Sequence, residues 1–225
     1  MNLSRLSFLI PAAIPCLLAG CLMQSGSSCS FVGISGSGVQ KTEVRSVADF
    51  ERIATAGSVD VTAKVGSPAK VEVTGDDNLL EYVTTEVKDG TLEVGMKSGS
   101  YHFTHGLKVA ITTPVLEKIS IAGSSDVDVS GLKGERFGAS IAGSGDLRAS
   151  GQVESLEASV AGSGDLQLDD LESRDAQVSI AGSGDVRVHA TQSLDVKIAG
   201  SGDVVYRGDP KITRSIAGSG SITKE

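Results

Sequence analysis

The chain has 225 residues, a formal net charge of −8 and a pI near 4.9, with 4% aromatic residues and no Trp. The acidic balance excludes a general nucleic-acid partner, which needs a basic patch. A core restricted to Val, Ile, Leu and Ala suits a thin stacked fold, and the length fits one domain behind a processed leader.

Residues 1–20 read as that leader, a lipoprotein signal peptide. Arg5 supplies the positive n-region, and the apolar run Leu6 to Ala19, broken by Pro11 and Pro15, is too short to span a bilayer, which takes ~20 residues. It ends Leu18-Ala19-Gly20-Cys21, which resembles a bacterial lipobox. Small residues before the cut fit the peptidase, cleavage falls between Gly20 and Cys21, and the Cys21 thiol takes the diacylglyceryl group. Cys16 then leaves with the leader and Cys29 remains a lone thiol, so no intrachain disulfide is expected. Loss of Arg5 takes Lys+Arg from 20 to 19 against 28 acids, leaving −9. Two or more acyl chains, palmitate among the usual ones, anchor stably. Leu22 after the acylated position favours the outer membrane in a Gram-negative cell. Residues 21–43 read as a lipidated Ser/Gly-rich tether.

From residue 44 to 113 the pattern turns strand-like. Phe50 to Val61 is a shortened cousin of a repeat that follows, and Ala69 to Thr74, Leu80 to Val87, Thr91 to Met96 and Leu107 to Thr112 all alternate. Asp89-Gly90 between alternating runs is a strong hairpin cue. Alternation here fits both antiparallel pairing and less regular rungs.

Residues 116–225 carry the clearest signal. Ile-Ala-Gly-Ser-Gly-Asp, or a close variant, recurs with its first Gly at 123, 143, 162, 182, 200 and 218, a spacing of 18–20. Two and four residues before each Gly, and four and six after it, the side chains are apolar, with small or polar residues between. Such period-2 alternation on both sides of a corner means two half-buried strands joined by a turn. One such unit cannot bury its apolar face alone, whereas stacked units can. The expected fold is all-β: a parallel β-solenoid (β-helix), right-handed as parallel crossovers nearly always are, with rungs of 18–20 residues and returns of six to eight. Gly123, Gly143, Gly162, Gly182, Gly200 and Gly218 are its structural turns. The last copy replaces apolar positions with Arg214 and Lys224 and the Asp with Ser221, a polar cap that stops end-to-end sheet growth. A β-sandwich is the alternative architecture.

Ordered motifs along the chain resemble the head GIN-domain autotransporter adhesins, a bacterial family without an assigned function. They are Gly36-Ser37-Gly38-Val39 leading to Arg45, Phe50-Glu51-Arg52-Ile53, Val71-Glu72-Val73, Asp76-Asp77-Asn78-Leu79, Val87 to Leu92 and Pro114 to Ile119, followed by the Gly-Ser-Gly copies. The resemblance covers roughly residues 36–225. It implies an extracytoplasmic β-solenoid, residues 44–225, on a lipoprotein or secreted scaffold. It carries no binding residue with it.

Three constellations invite chemistry. In register, Asp126, Asp146, Asp165, Asp185 and Asp203 would stack ~4.8 Å apart, where ionised neighbours repel by about 1 kcal/mol in water and about 3.5 at a dielectric of 20. Backbone N–H groups, a cation or splaying into solvent must offset this. Calcium-binding nonapeptide solenoids turn every nine residues; here one turn per 18–20 would leave Ca²⁺ reliant on Ser124, Ser144, Ser163, Ser183, carbonyls and water to reach 6–8 oxygens. An Asp turn former is the simpler account, and no other cofactor is indicated. Second, Ala122, Ala142, Ala161, Ala181, Ala199 and Ala217 form a flat outward stripe beside Ser120, Ser140, Ser159, Ser179 and Ser215, a plain solvated face that could also dock a partner. Third, His102 and His105 point to opposite faces of a strand, against a metal pair, while Arg148 and Arg187 share an interrupted column and no nucleophile–base pair is evident.

The reading that follows is a non-catalytic, lipid-anchored envelope protein, bound to the membrane through Cys21 and binding an unidentified protein or glycan surface as an adhesin. An envelope scaffold that self-assembles by rung stacking is the alternative. A carbohydrate-active β-helix enzyme is remote.

Overall fold

A computed structural model describes residues 33–225. The leader, Cys21 and its cleavage site, Cys16 and Cys29 lie outside the described residues. Apart from a short 3₁₀ turn at Leu80–Tyr82, the regular structure is all strand. The strands are β1 (Ile34–Ser35), β2 (Gln40–Arg45), β3 (Arg52–Gly57), β4 (Asp60–Val65), β5 (Lys70–Asp76), β6 (Val83–Lys88), β7 (Thr91–Met96), β8 (Tyr101–His102) and β9 (Lys108–Thr113). There follow β10 (Lys118–Gly123), β11 (Val127–Gly143), β12 (Leu147–Gly162), β13 (Leu166–Gly182), β14 (Val186–Gly200), β15 (Val204–Arg207), β16 (Lys211–Gly218) and β17 (Ile222–Lys224).

β10 to β17 are parallel and in register, with Ile121 against Ile141, Val160, Ile180, Ile198 and Ile216 in turn. Stacked parallel coils make a β-solenoid of about five turns. The apolar columns counted from each corner Gly are buried along the stack, from Ile119 and Ile121 to Val196, Ile198 and Val204. Each column places like side chains on like, so the core is continuous through the stack.

The returns of six to eight residues expected between pairs of short strands are themselves strand. β11, β12 and β13 are continuous strands of 17, 16 and 17 residues, bent by register shifts such as that between Val129 and Leu132. The return is itself paired with the rungs on either side, so its amides and carbonyls are satisfied within the ladder. It also contributes a fifth buried column six residues before the corner: Phe137, Leu156, Ala176 and Leu194. Continuing the count one alternation further along the sequence reveals it.

The N-terminal half uses both kinds of pairing. β3 stacks parallel beneath β10, with Gly57 against Gly123, and β4 lies beneath β11, with Val61 against Val127. Residues 50–61 are therefore a true first rung in the chain, and the 66–117 excursion that follows returns two strands to the ladder, β7 parallel to β3 and β9 parallel to β4. Within that excursion β6 and β7 form an antiparallel hairpin at Asp89-Gly90, where both residues have positive φ. β5 runs antiparallel to β9 and to β2, and β9 runs parallel to β4. The stretch read as a tether to residue 43 includes β1 and most of β2, so the folded part begins by Gly33 rather than at residue 44.

At the other end, Arg214 lies in register with Val196 and Lys224 with Tyr206. Every residue of β16 is exposed, including Ile212 at 36% and Ile216 at 39%. Charges thus interrupt the core columns in the terminal rung.

Candidate binding face

Stacking in register turns the outward residue just before each corner into a straight line. Ala122, Ala142, Ala161, Ala181, Ala199 and Ala217 follow one another, and Ala56 of β3 extends the line below. Seven rungs at ~4.8 Å make a stripe ~29 Å long. Beside it run Ser120, Ser140, Ser159 and Ser179, then Lys197 and Ser215. Lys197 stands 3.9 Å from Asp195 on its own strand. Side chains this short leave the sheet flat.

The face is bounded at its N-terminal end. The end of β7 and the loop after it, Met96 to Gly99, line with Ala54, Ala56 and Ala122 a groove of about 600 Å³. Tyr82 and Tyr101 brace the loop with ring centroids 5.0 Å apart, the Lys97 ammonium sits 5.8 Å from the Tyr82 ring centre, and the Lys97 amide donates to the Tyr82 carbonyl at 2.8 Å. Next to the Ser column a second depression, about 530 Å³, brings Arg52, Lys118 and Arg136 together with Glu117, Glu135 and Glu157. A small-residue floor, an apolar wall and a mixed-charge margin can accept a broad, flat ligand surface.

The Asp column forms as counted and gains a member. Asp60, in the first rung, sits beneath Asp126, and the Val61 amide donates to the Asp126 carbonyl at 2.8 Å. From Asp146 upward each carboxylate accepts the backbone N–H of the next aspartate: Asp165 to Asp146 at 3.1 Å, Asp185 to Asp165 at 2.8 Å and Asp203 to Asp185 at 2.8 Å. Ser221 closes the series, donating its amide and hydroxyl to Asp203 at 2.8 and 2.9 Å. The corner explains this. Its first Ser donates to the Gly carbonyl below, and the residue after Asp donates to the Asp carbonyl above. The Asp amide between them meets no backbone acceptor, and the carboxylate below takes its place. Among the described residues no group of three or more His, Cys, Asp or Glu is placed to hold a metal ion.

The two nearest glycines of each copy are fixed by stacking. At Gly162, φ is +139° and a Cβ would collide with the Gly143 carbonyl oxygen of the rung below. In the lowest full copy Ser125 stands in place of the second glycine, and its side chain is buried. Its hydroxyl donates to the Gly57 carbonyl at 3.2 Å and accepts the Val59 amide at 3.1 Å.

The remaining singled-out residues do not converge. His102 is an exposed end of β8, while His105 Nε2 lies 3.2 Å from the Gly38 carbonyl. Arg148 donates to Gln167 at 3.0 Å, and Gln167 separates it in its column from Arg187. Two motifs that the sequence placed 40 residues apart do meet. Asp76-Asp77-Asn78 grips Gly36-Ser37-Gly38, with the Gly38 amide on Asp76 at 2.8 Å and the Ser37 amide on Asn78 at 2.9 Å.

Residues 49–210 match the family profile described as "Putative auto-transporter adhesin, head GIN domain". The chain belongs to this family. The domain is also similar to two solved structures. A Bacteroides fragilis protein described as a "putative adhesin" is 25% identical, with a TM-score of 0.71 over 86% of this chain and 100% of that one. A Parabacteroides distasonis protein described as a "putative lipid binding protein" is 29% identical, with a TM-score of 0.56 over 85% of this chain and 99% of that one. No protein of curated function matches significantly. No helix among the described residues is long and apolar enough to cross a membrane.

Proposed function

We propose that this GIN domain is a non-catalytic adhesin-like binding module of the bacterial envelope, tethered through Cys21 and engaging a protein or glycan surface with its Ala/Ser face. The observation that carries the reading is the flat, seven-rung stripe from Ala56 to Ala217, ending against the braced Met96–Gly99 loop. The family and the Bacteroides fragilis relative support binding as the class of activity.

The test is a panel of host cells, matrix proteins and glycans, probed with the wild-type chain and with Ala161→Arg and Ala181→Arg. Both positions are outward and exposed, so the variants should keep the wild-type melting temperature and lose binding at least tenfold. Binding to nothing in the panel, or binding untouched by both variants, would remove the face as the site. For the tether, metabolic labelling with palmitate should mark the wild type and not Cys21→Ser.

Self-assembly by rung stacking, the alternative reading, would have to use β16, an eight-residue exposed edge. In an antiparallel pairing of two such edges that sets Ile212 against Ile216, Arg214 faces its own copy, which like-charge repulsion opposes. Sedimentation of the wild type should therefore show a monomer, and Arg214→Val should associate.

A further inference from the structure

The first strands of the described chain are attached in a different way from the rest. No residue between Gly33 and Ser46 belongs to the hydrophobic core, whose nearest member is Phe50, with Val47 half-buried against it. β2 lies on the edge beside β5, with Val44 64% exposed. What fastens this segment is polar. Asp76 is fully buried, and its carboxylate accepts the amides of Gly38 and Thr104, each at 2.8 Å. Around it Ser37 bonds Asp77, the Asn78 amide donates to the Ser35 carbonyl at 2.9 Å, and Arg45 donates to the Leu80 carbonyl at 2.7 Å. Gly36 passes so close that a Cβ there would strike the Asp76 carboxylate.

We propose that Gly33–Arg45 is a detachable arm, clasped by Asp76, that opens and recloses as one unit while the solenoid stays folded. Segments with little apolar burial open at lower free energy than the core. Charge-assisted bonds to a buried carboxylate are strong but all-or-none, since losing the arm removes several together. Ser46–Asp49 is the hinge: it lies outside any strand, over a depression of about 170 Å³ reaching Lys70 and Thr113. The arm is also the first of the described segments. If the Cys21 anchor of the proposed function holds, a pull on the tether loads the arm before any rung; the opening itself does not depend on that anchor.

Hydrogen exchange on the full-length chain, read by peptide mass spectrometry, tests this. Peptides within 33–45 should exchange at least about 100-fold faster than those of β12 and β13, as sub-global opening requires. Asp76→Asn should raise arm exchange about tenfold or more, the worth of a charge-assisted bond, with rung exchange and melting temperature unchanged. Gly36→Ala, which jams the clasp from the arm's side and changes no residue of β5, should do the same should Asp76→Asn fold poorly. Arm and rungs exchanging at the same rate in the wild type would overturn the proposal. So would a foldable variant that leaves arm exchange unchanged or accelerates exchange everywhere equally.

Discussion

Gly57 and Gly162 occupy the same corner column, yet their surroundings differ. Gly57 is the lowest corner: its φ is +99° and a Cβ there would meet nothing within 4 Å. Gly162, two full rungs above the first repeat, has φ +139° and the Gly143 carbonyl directly beneath its missing Cβ. One residue type, in one motif, therefore carries one constraint at the base of the stack and two within it. The regular half is specified by rung-on-rung contact. The first rung and its excursion are specified by local turns and by side-chain clasps.

Substitution at the two corners breaks or sharpens that contrast. Gly162→Ala should cost about 3 kcal/mol or more, from overpacking against backbone plus a strained φ. Gly57→Ala should cost only about 1–2 kcal/mol, the backbone term alone. Chemical denaturation measures both, and equal losses would mean that stacking does not fix the corner. A smaller effect is expected at the carboxylate edge. Asp165→Ala leaves the Asp185 amide without its acceptor and should cost about 1–2 kcal/mol, whereas Asp165→Asn keeps a side-chain oxygen and should recover most of it. EDTA should leave the wild-type melting temperature unchanged if the amide ladder alone balances this edge; a drop would assign a structural cation to it.

The smallest effect concerns the clasp. Burial pushes the Asp76 carboxyl up, but the amides of Thr104 and Gly38, the Thr104 hydroxyl and the charge of His105 outweigh it and hold it below the ordinary aspartate value. A lowered folded pKa stabilises above the unfolded value near 3.9 and is lost as pH falls through the folded one. His105 on the 103–106 loop and Asp77 beside it in the chain are the charged groups of this corner; Gly36 and Gly38 on the arm bring none. Acidification below about pH 4 should thus release the arm before the rungs melt, seen as selective cleavage within 33–45 by an acid-active protease. Cleavage appearing only with loss of the whole β signal would contradict it.

Much of the stack was legible from the residues. Alternation around each Gly identifies which side chains face inward, and the buried columns from Ile119 to Val204 follow that count. Arg214 and Lys224, polar where the columns demand apolar residues, mark the last rung. Asp60 was missed because Phe50 to Val61 is shortened, although its Gly57-Ser58-Val59-Asp60 carries the same spacing as Gly123 to Asp126. The Phe137 column lies beyond the four positions counted around each corner, although the alternation of the returns continues into it.

Intrinsic to the sequence are the corner, the inward and outward faces, and the need to stack, because side-chain period and backbone sterics act within a few residues. Tertiary structure alone decided that Gly57 neighbours Gly123 across a long excursion, that β5 turns antiparallel to β2 and β9, and that Asp76 is buried on the Gly36–Gly38 arm. A strand's pattern states which side it hides, not which strand lies beside it. That choice falls to whichever partner completes the backbone ladder and satisfies the buried polar groups, and those partners lie tens of residues away.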